Sequence, residues 1–193
     1  MKTRLVTCLC PLAIMFGTLA NAQTVEVPLP ELNGLYTLYE FQRTAVFELP
    51  CQPAAITGAS IRISGHATVG AVVCEWGGPY PWSMMMDATI PDTTTGADWL
   101  ATSQTPEEPG TFEMTAVFGD LYGQDPSWDS LLGGVGEVTL RAAPLGIVGL
   151  CWEVSPPPEA TVTSAVLVVD GDFPIPVQPR TCGKIKALYA GDE

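Results

Sequence analysis

The chain has 193 residues, with 8 Lys or Arg against 21 Asp or Glu, which gives a formal net charge of −13. Such an acidic surface repels phosphate backbones and anionic lipid, so it argues against nucleic-acid and membrane-surface partners. The length and the 47% hydrophobic content allow one globular domain with its own core.

The first 22 residues have the pattern of a secretory signal peptide. Lys2 and Arg4 precede an apolar run over residues 5–19, and residues 20–22 (Ala-Asn-Ala) form a small-x-small cleavage site. We therefore expect an exported chain, secreted or periplasmic, that begins at Gln23 and does not insert into a membrane after signal removal. Residues 23–182 are predicted to form one domain and residues 183–193 a C-terminal tail.

Four cysteines follow the predicted signal: Cys51, Cys74, Cys151 and Cys182. An even number in an exported chain predicts two disulfides, with three possible connectivities. We favour Cys51–Cys74 and Cys151–Cys182, because each closes a modest loop and would contribute about 3 kcal/mol. A zinc site is disfavoured, since no C-x-x-C spacing occurs and His66 is the single histidine.

Short β-strands account for nearly all of the sequence beyond the signal. In chain order, strands are predicted at residues 35–41, 44–49, 56–65, 71–76, 82–88, 98–103, 111–118, 137–142, 150–154 and 162–171. A turn is predicted at residues 77–79 (Gly-Gly-Pro), and residues 128–132 allow one helical turn. About ten strands with Gly- and Pro-rich turns predict an all-β fold, a single antiparallel β-sandwich of jelly-roll or Greek-key type.

Two of these segments, ITGASIRISG (56–65) and VTSAVLVVDG (162–171), fit one template. Each has a β-branched first residue, Ala fourth, aliphatics sixth and eighth, and Gly tenth, so we expect neighbouring strands of one sheet. The first should turn Ala59, Ile61 and Ile63 inward. The second is apolar on both faces, which predicts a cover over its outer residues. Its inner set is Ala165, Leu167 and Val169, and its outer set is Val162, Val166 and Val168.

Residues 47–50 (Phe-Glu-Leu-Pro), followed by these two segments, resemble the strand pattern of bacterial secreted jelly-roll sandwiches, which occur in surface, matrix and PEP-CTERM-type exported proteins. The resemblance implies the fold and export. Residues 183–193 depart from the PEP-CTERM type, because they are polar and charged and lack a Pro-Glu-Pro signal with an apolar anchor. The resemblance therefore implies no anchor and assigns no functional residue.

Enzyme signatures are mostly missing from the sequence. It contains no G-x-S-x-G elbow, no H-E-x-x-H motif and no phosphate-binding glycine loop. No catalytic residue is predicted, although a pair among the many carboxylates could support a small secreted hydrolase.

Two groups of residues are candidates for binding. Trp76, Tyr80 and Trp82 surround a glycine turn and could form an aromatic platform for a carbohydrate, the alternative being that the two Trp rings pack inside. Asp170 and Asp172 end the last strand and could hold a structural Ca²⁺, the alternative being solvated turn aspartates. No other cofactor is predicted.

These patterns favour a non-catalytic, exported bacterial β-sandwich that acts as an extracellular binding or structural-interaction module. The partner would be a glycan or another extracellular protein. A carbohydrate-binding module that uses the aromatic platform is the alternative, and the carboxylate-pair hydrolase is a further one.

Overall fold

The computed structural model describes residues 22–37, 42–75, 77–92, 98–119, 128–144, 151–153 and 156–174. Residues 1–21 of the predicted signal, Trp76, Cys182 and the predicted tail lie outside the described residues. Within these ranges, two 3₁₀ turns occur, at Pro30–Leu32 and Trp128–Leu131. No helix in the described ranges is long and apolar enough to span a membrane. The strands are β1 (Ala22–Pro28), β2 (Gly34–Thr37), β3 (Gln42–Glu48), β4 (Ala55–Ala67), β5 (Gly70–Cys74), β6 (Gly77–Trp82), β7 (Met84–Pro91), β8 (Asp98–Gln104), β9 (Gly110–Val117), β10 (Val135–Pro144), β11 (Cys151–Glu153) and β12 (Glu159–Asp172).

The prediction of an all-β chain with antiparallel sheets is confirmed, since all the strand ladders described are antiparallel. The turn predicted at residues 77–79 is wrong, because these residues begin β6. Pro79 and Pro81 are tolerated there because β6 is an edge strand, where a missing N–H donor breaks no ladder. β1 is not among the predicted strands, although it pairs with β12 over its whole length.

The two template segments form neighbouring strands at the centre of a five-stranded sheet. The sheet has the order β1–β12–β4–β9, and β2 also pairs with β12. The register places Leu167 opposite Ile61 and Ala165 opposite Ile63. Ala59, Ile61 and Ile63 are all at most 3% exposed. The predicted side-by-side placement and the predicted inward set of β4 are therefore confirmed.

Two β-bulges interrupt the β4–β12 ladder at equivalent places near its ends. The residues left without a partner are Thr57 and Thr163, which are separated by the same 106 residues as the two templates. Thr57 Oγ1 donates to the carbonyl of Asp170, and Thr163 Oγ1 donates to that of Ser64, each at 3.2 Å. The two hydrogen bonds are related by a local two-fold axis, which makes threonine at the second template position part of the repeated unit.

The template glycines, Gly65 and Gly171, lie beside these bulges. A Cβ at Gly65 would overlap the carbonyl oxygen of Thr161, and one at Gly171 would overlap that of Ala55. Both obstacles are backbone atoms of the neighbouring strand, so a side chain has no space to move into. Glycine is thus required at the tenth position by the close approach of the two backbones.

The second apolar face of β12 differs from the prediction at Val162. That side chain is 2% exposed and points into the core, because the bulge at position 163 reverses the alternation of faces. Val166 and Val168 do face outward and are half-buried. A salt bridge of 3.1 Å between Arg62 on β4 and Glu26 on β1 crosses over β12 beside them.

A four-stranded sheet, β3–β10–β7–β8, and a three-stranded sheet, β11–β5–β6, complete the described structure. The inward residues of the two larger sheets alternate with outward ones along every strand. They belong to a single buried cluster, to which the four-stranded sheet contributes Met84, Met86, Ile90, Val138 and Leu140. This shared core holds the two larger sheets together.

Tyr36 on β2 fills the core beside the neighbouring sheet. Its side chain is fully buried, and its hydroxyl donates to the carbonyl of Leu32 at 2.6 Å. The guanidinium of Arg43 lies 5.8 Å from the ring centroid, in space that Gly34 leaves free. Burial raises the pKa of the Tyr36 hydroxyl well above its ordinary value, and the positive charge of Arg43 opposes part of that rise.

The favoured disulfide connectivity is wrong at its first pair. Cys51 is a free thiol whose Sγ lies 3.8 Å from the carbonyl oxygen of Pro174. Cys74 takes part in a disulfide, on a strand where Cys151 is its directly opposite residue. The two predicted partners are separated because the segment after β3 lies beside the end of β12, whereas Cys74 belongs to the three-stranded sheet. The predicted Cys151–Cys182 pair falls outside the described side chains.

Candidate functional site

The predicted aromatic platform does not assemble from its described members. Trp82 is 4% exposed, and its ring lies against Gly70 at a point that Pro156 and Pro158 also approach. Tyr80, two residues earlier on β6, is 42% exposed. Trp82 therefore cannot offer a face to a sugar, and Trp76 lies outside the described residues. Tyr80 alone retains the exposure that a platform requires.

Asp170 and Asp172 lie within β12, not in a turn after it. Asp170 is exposed and accepts a hydrogen bond from Thr24 Oγ1 of β1. Among the described residues, no three or more His, Cys, Asp or Glu side chains come together in a way that could hold a metal ion. The Ca²⁺ site at these two aspartates stays a prediction.

The outer surface of the four-stranded sheet carries the most developed polar arrangement in the part of the chain that the structure describes. Alternation along the strands turns polar side chains outward from all four of them. They line a depression of about 410 Å³, which we call the polar depression. Its lining residues are Gln42, Thr89, Pro91, Asp98, Leu100, Thr139 and Arg141.

Asp87 on β7 is the centre of this arrangement, beside the polar depression. It is 5% exposed, which is unusual for a carboxylate on the outer surface of a sheet. Thr102 Oγ1 of β8 donates to Asp87 Oδ1 at 3.0 Å, and Arg141 Nη2 of β10 lies 3.5 Å from Oδ2. The half-exposed guanidinium of Arg141 is thus held across three strands with donors left for a ligand.

A ladder of threonines continues this surface toward the edge strand. Thr44 of β3 and Thr139 of β10 lie opposite each other, with their hydroxyl oxygens 2.9 Å apart. Thr89 of β7 is the neighbour of Thr139 on the other side. The next row of the same surface holds the Gln42 amide and the Arg141 guanidinium on neighbouring strands. Polar groups therefore follow one another from strand to strand at the usual spacing of about 4.8 Å. Such a surface can exchange several hydrogen bonds with an extended polar chain.

An apolar groove adjoins the polar depression and shares Pro91 with it. Its volume is about 390 Å³, and we call it the valine groove because Val46 and Val135 form its exposed walls. These side chains are 68% and 54% exposed, on neighbouring strands β3 and β10. The other lining residues are Ser130, Leu131, Gly136 and Glu137.

A further depression of about 380 Å³ lies on the five-stranded sheet beside Thr163, with Ser64, Thr111 and Glu113 in its wall. No charged side chain in that wall is buried. It therefore offers less fixed polarity than the surface around Asp87.

Sequence patterns do not single out Asp87, Arg141 or the threonine ladder. Outward polar residues are expected on any half-buried strand, so each of them looks like ordinary solvated surface. The available signal is the outward Asp87 and Arg141 on two predicted strands, but nothing in the sequence indicates that β7 and β10 are neighbours. No protein-family model matches the chain, and neither does any curated protein.

Proposed function

We propose that this chain is a non-catalytic, exported β-sandwich of jelly-roll or Greek-key type that acts outside the cell as a binding or structural-interaction module. The shared core of the two larger sheets supports the sandwich, and the arrangement around Asp87 is the observation that carries the binding function. A buried carboxylate that orients a half-exposed Arg is a rigid hydrogen-bonding feature, and rigidity lowers the entropic cost of binding.

The ligand that best suits this surface is a neutral or amino-sugar glycan. Sugar hydroxyls accept from Arg141 and exchange hydrogen bonds with Gln42 and Thr139, whereas anionic polymers are repelled by the acidic surface. Pro91 and Leu100 supply apolar contact for the ring faces. A different extracellular protein is the other partner class for the same surface.

A glycan array tests this proposal on the full chain. We expect at least one neutral or amino-sugar glycan to bind, and binding to fall about tenfold or more in Arg141→Gln, since a lost charged hydrogen bond costs about 1.5–3 kcal/mol. Arg62→Gln, on the outer face of the other sheet, is the matched control and should bind normally. Failure of every glycan to bind would overturn the glycan ligand, and release of reducing ends from a bound glycan would overturn the non-catalytic function.

A carbohydrate-binding module centred on β6 is the second candidate, because Tyr80 is exposed. In that case Tyr80→Ala would abolish glycan binding and Arg141→Gln would leave it unchanged. The two substitutions therefore distinguish the two surfaces in one experiment.

A further inference from the structure

The valine groove has the size of a site for a short segment. Its volume of about 390 Å³ falls at the lower end of the range for ligand pockets, so a few side chains fill it and a folded domain does not. Two valines that are more than half exposed on adjacent strands form an apolar patch that water solvates poorly. Among the described residues, nothing covers the side chains of Val46 and Val135.

The described chain ends close to this groove. After β12, Pro174 lies beside Cys51, and the amide of Ala54 donates to the carbonyl of Asp172 at 2.8 Å. The same connection after β3 reaches the groove, because the Leu49 amide donates to the carbonyl of Gly134, which precedes Val135, at 2.7 Å. Residues 175–193 therefore continue from a point one short loop away from the groove.

The sequence that follows has the length to reach the groove. Ten residues separate Pro174 from Ile185, and they can span about 33 Å when extended. Three prolines in residues 174–179 are a pattern typical of an extended, stiff chain. Residues 184–189 read KIKALY and combine apolar side chains with two lysines.

Charge also favours this segment as the occupant. Residues 23–174 hold 19 acidic and three basic residues, a formal charge of −16, whereas residues 175–193 hold three basic and two acidic ones, a formal charge of +1. Glu137 lines the groove, and Glu48 is exposed opposite Val135 on β3. The lysines of the segment can lie against these carboxylates while its apolar side chains contact the valines.

We propose that residues 184–189 of this same chain dock in the valine groove, with Lys184 and Lys186 against Glu137 and Glu48. A further observation fits a docked peptide. The Ser130 hydroxyl lies in the groove wall and has no hydrogen-bond partner among the described residues, so it can pair with the backbone of the segment. The docked segment covers the apolar end of the four-stranded sheet and leaves the polar depression open.

Trypsin cleavage of the full chain tests the proposal, because trypsin cuts after Lys184 and Lys186. With the segment docked, we expect both bonds to be cut slowly, and cleavage to become about tenfold faster when Val46→Asn and Val135→Asn are combined. A tenfold change corresponds to about 1.4 kcal/mol of docking free energy. Val117→Asn is the matched control, since Val117 is 71% exposed on β9 of the other sheet, and its cleavage rate should equal that of the unmodified chain.

Two further variants keep the result interpretable if the groove variant folds poorly. Leu188→Asn alters only the segment and should also speed cleavage after Lys186. Glu137→Gln should speed cleavage less than the groove variant does. Its difference from the unmodified chain should vanish in high salt, because salt screens the attraction between Glu137 and the lysines. Glu113→Gln on β9 is the control.

Three outcomes would overturn the proposal. Equal cleavage rates in the unmodified chain and in both the groove and Leu188 variants would show that the groove is not the docking site. Cleavage as fast as that of a synthetic peptide of residues 180–193 would show that the segment is not docked. Protection that falls on dilution would assign the groove to the segment of a second copy. None of these outcomes depends on glycan binding, so they are separate from a failure of the proposed function.

Discussion

The outer surfaces of the two larger sheets differ. At the centre of the five-stranded sheet, the outward Val166 and Val168 of β12 are half-covered and the Arg62–Glu26 salt bridge passes beside them. On the four-stranded sheet, by contrast, the described residues leave both the polar depression and the valine groove uncovered around Pro91. The centre of the first sheet is partly covered by side chains of its own strands, whereas the second sheet carries the surface for which we propose a binding function.

The difference extends to how closely the strands approach one another. In the five-stranded sheet, Gly65 lies against a backbone carbonyl of β12, which cannot move without breaking the ladder. In the four-stranded sheet, Gly136 lies against the side chains of Phe47 and Leu131. The comparison teaches that the template pair is rigid at its close backbone approach, whereas the core side chains beside Gly136 can shift.

The largest effect is expected at the template pair. Gly65→Ala forces a Cβ onto the Thr161 carbonyl, so we expect the free energy of unfolding to fall by about 3 kcal/mol, at the upper end for overpacking. Gly58→Ala on the same strand is the control, because a Cβ there has no neighbour within 4 Å. Urea unfolding of both variants measures the difference, and equal values would contradict a rigid pair.

A smaller effect is expected for Gly136→Ala in the four-stranded sheet. The Phe47 ring and the Leu131 side chain can shift away from the new methyl group, so we expect a loss of about 1–2 kcal/mol. The same urea titration provides the value. A cost as large as that of Gly65→Ala would mean that the two sheets are equally rigid, and the comparison would fail.

Alkaline pH should weaken the contact between the sheets at Tyr36. The neutral hydroxyl is favoured in the folded chain, so its stabilisation is complete below the ordinary tyrosine pKa of about 10 and decreases above it, by about 1.4 kcal/mol per pH unit. Tyr36→Phe should be less stable at pH 7 through loss of the hydrogen bond to Leu32, but should lose less stability between pH 10 and 11. Thermal melts at several pH values test the slope, and parallel slopes would refute it.

The smallest effect is expected at the salt bridge over β12. Both side chains are more than one third exposed, so solvent screens the pair, and Arg62→Met should change the free energy of unfolding by less than about 0.5 kcal/mol. The methionine side chain is long enough to cover Val166 and Val168 as the arginine stem does. A cost above 1 kcal/mol in urea unfolding would show that the ion pair itself closes this surface.

Sequence patterns predict the strands and their buried faces well, because a period of two marks residues such as Ile61 and Ile63 directly. They fail at Val162, since the extra residue of a bulge leaves no trace in composition yet reverses the face of everything beyond it. The pairing of Cys51 with Cys74 fails for a related reason, because loop length does not reveal that Cys51 lies beside the end of β12 whereas Cys74 belongs to the three-stranded sheet. The surface around Asp87 could not be predicted without knowing that β10 lies beside β7.

The position of β12 in the chain also has a consequence for how the molecule folds. This one strand pairs with β1, β2 and β4, and its central contact joins residues that are 106 positions apart. Such long-range pairing predicts slow folding, because a large loop must close before any of these ladders can form. Until residue 172 is available, three early strands lack the neighbour that completes their sheet. A chain that emerges N-terminus first therefore stays open until most of it has emerged, as the proposed export would require.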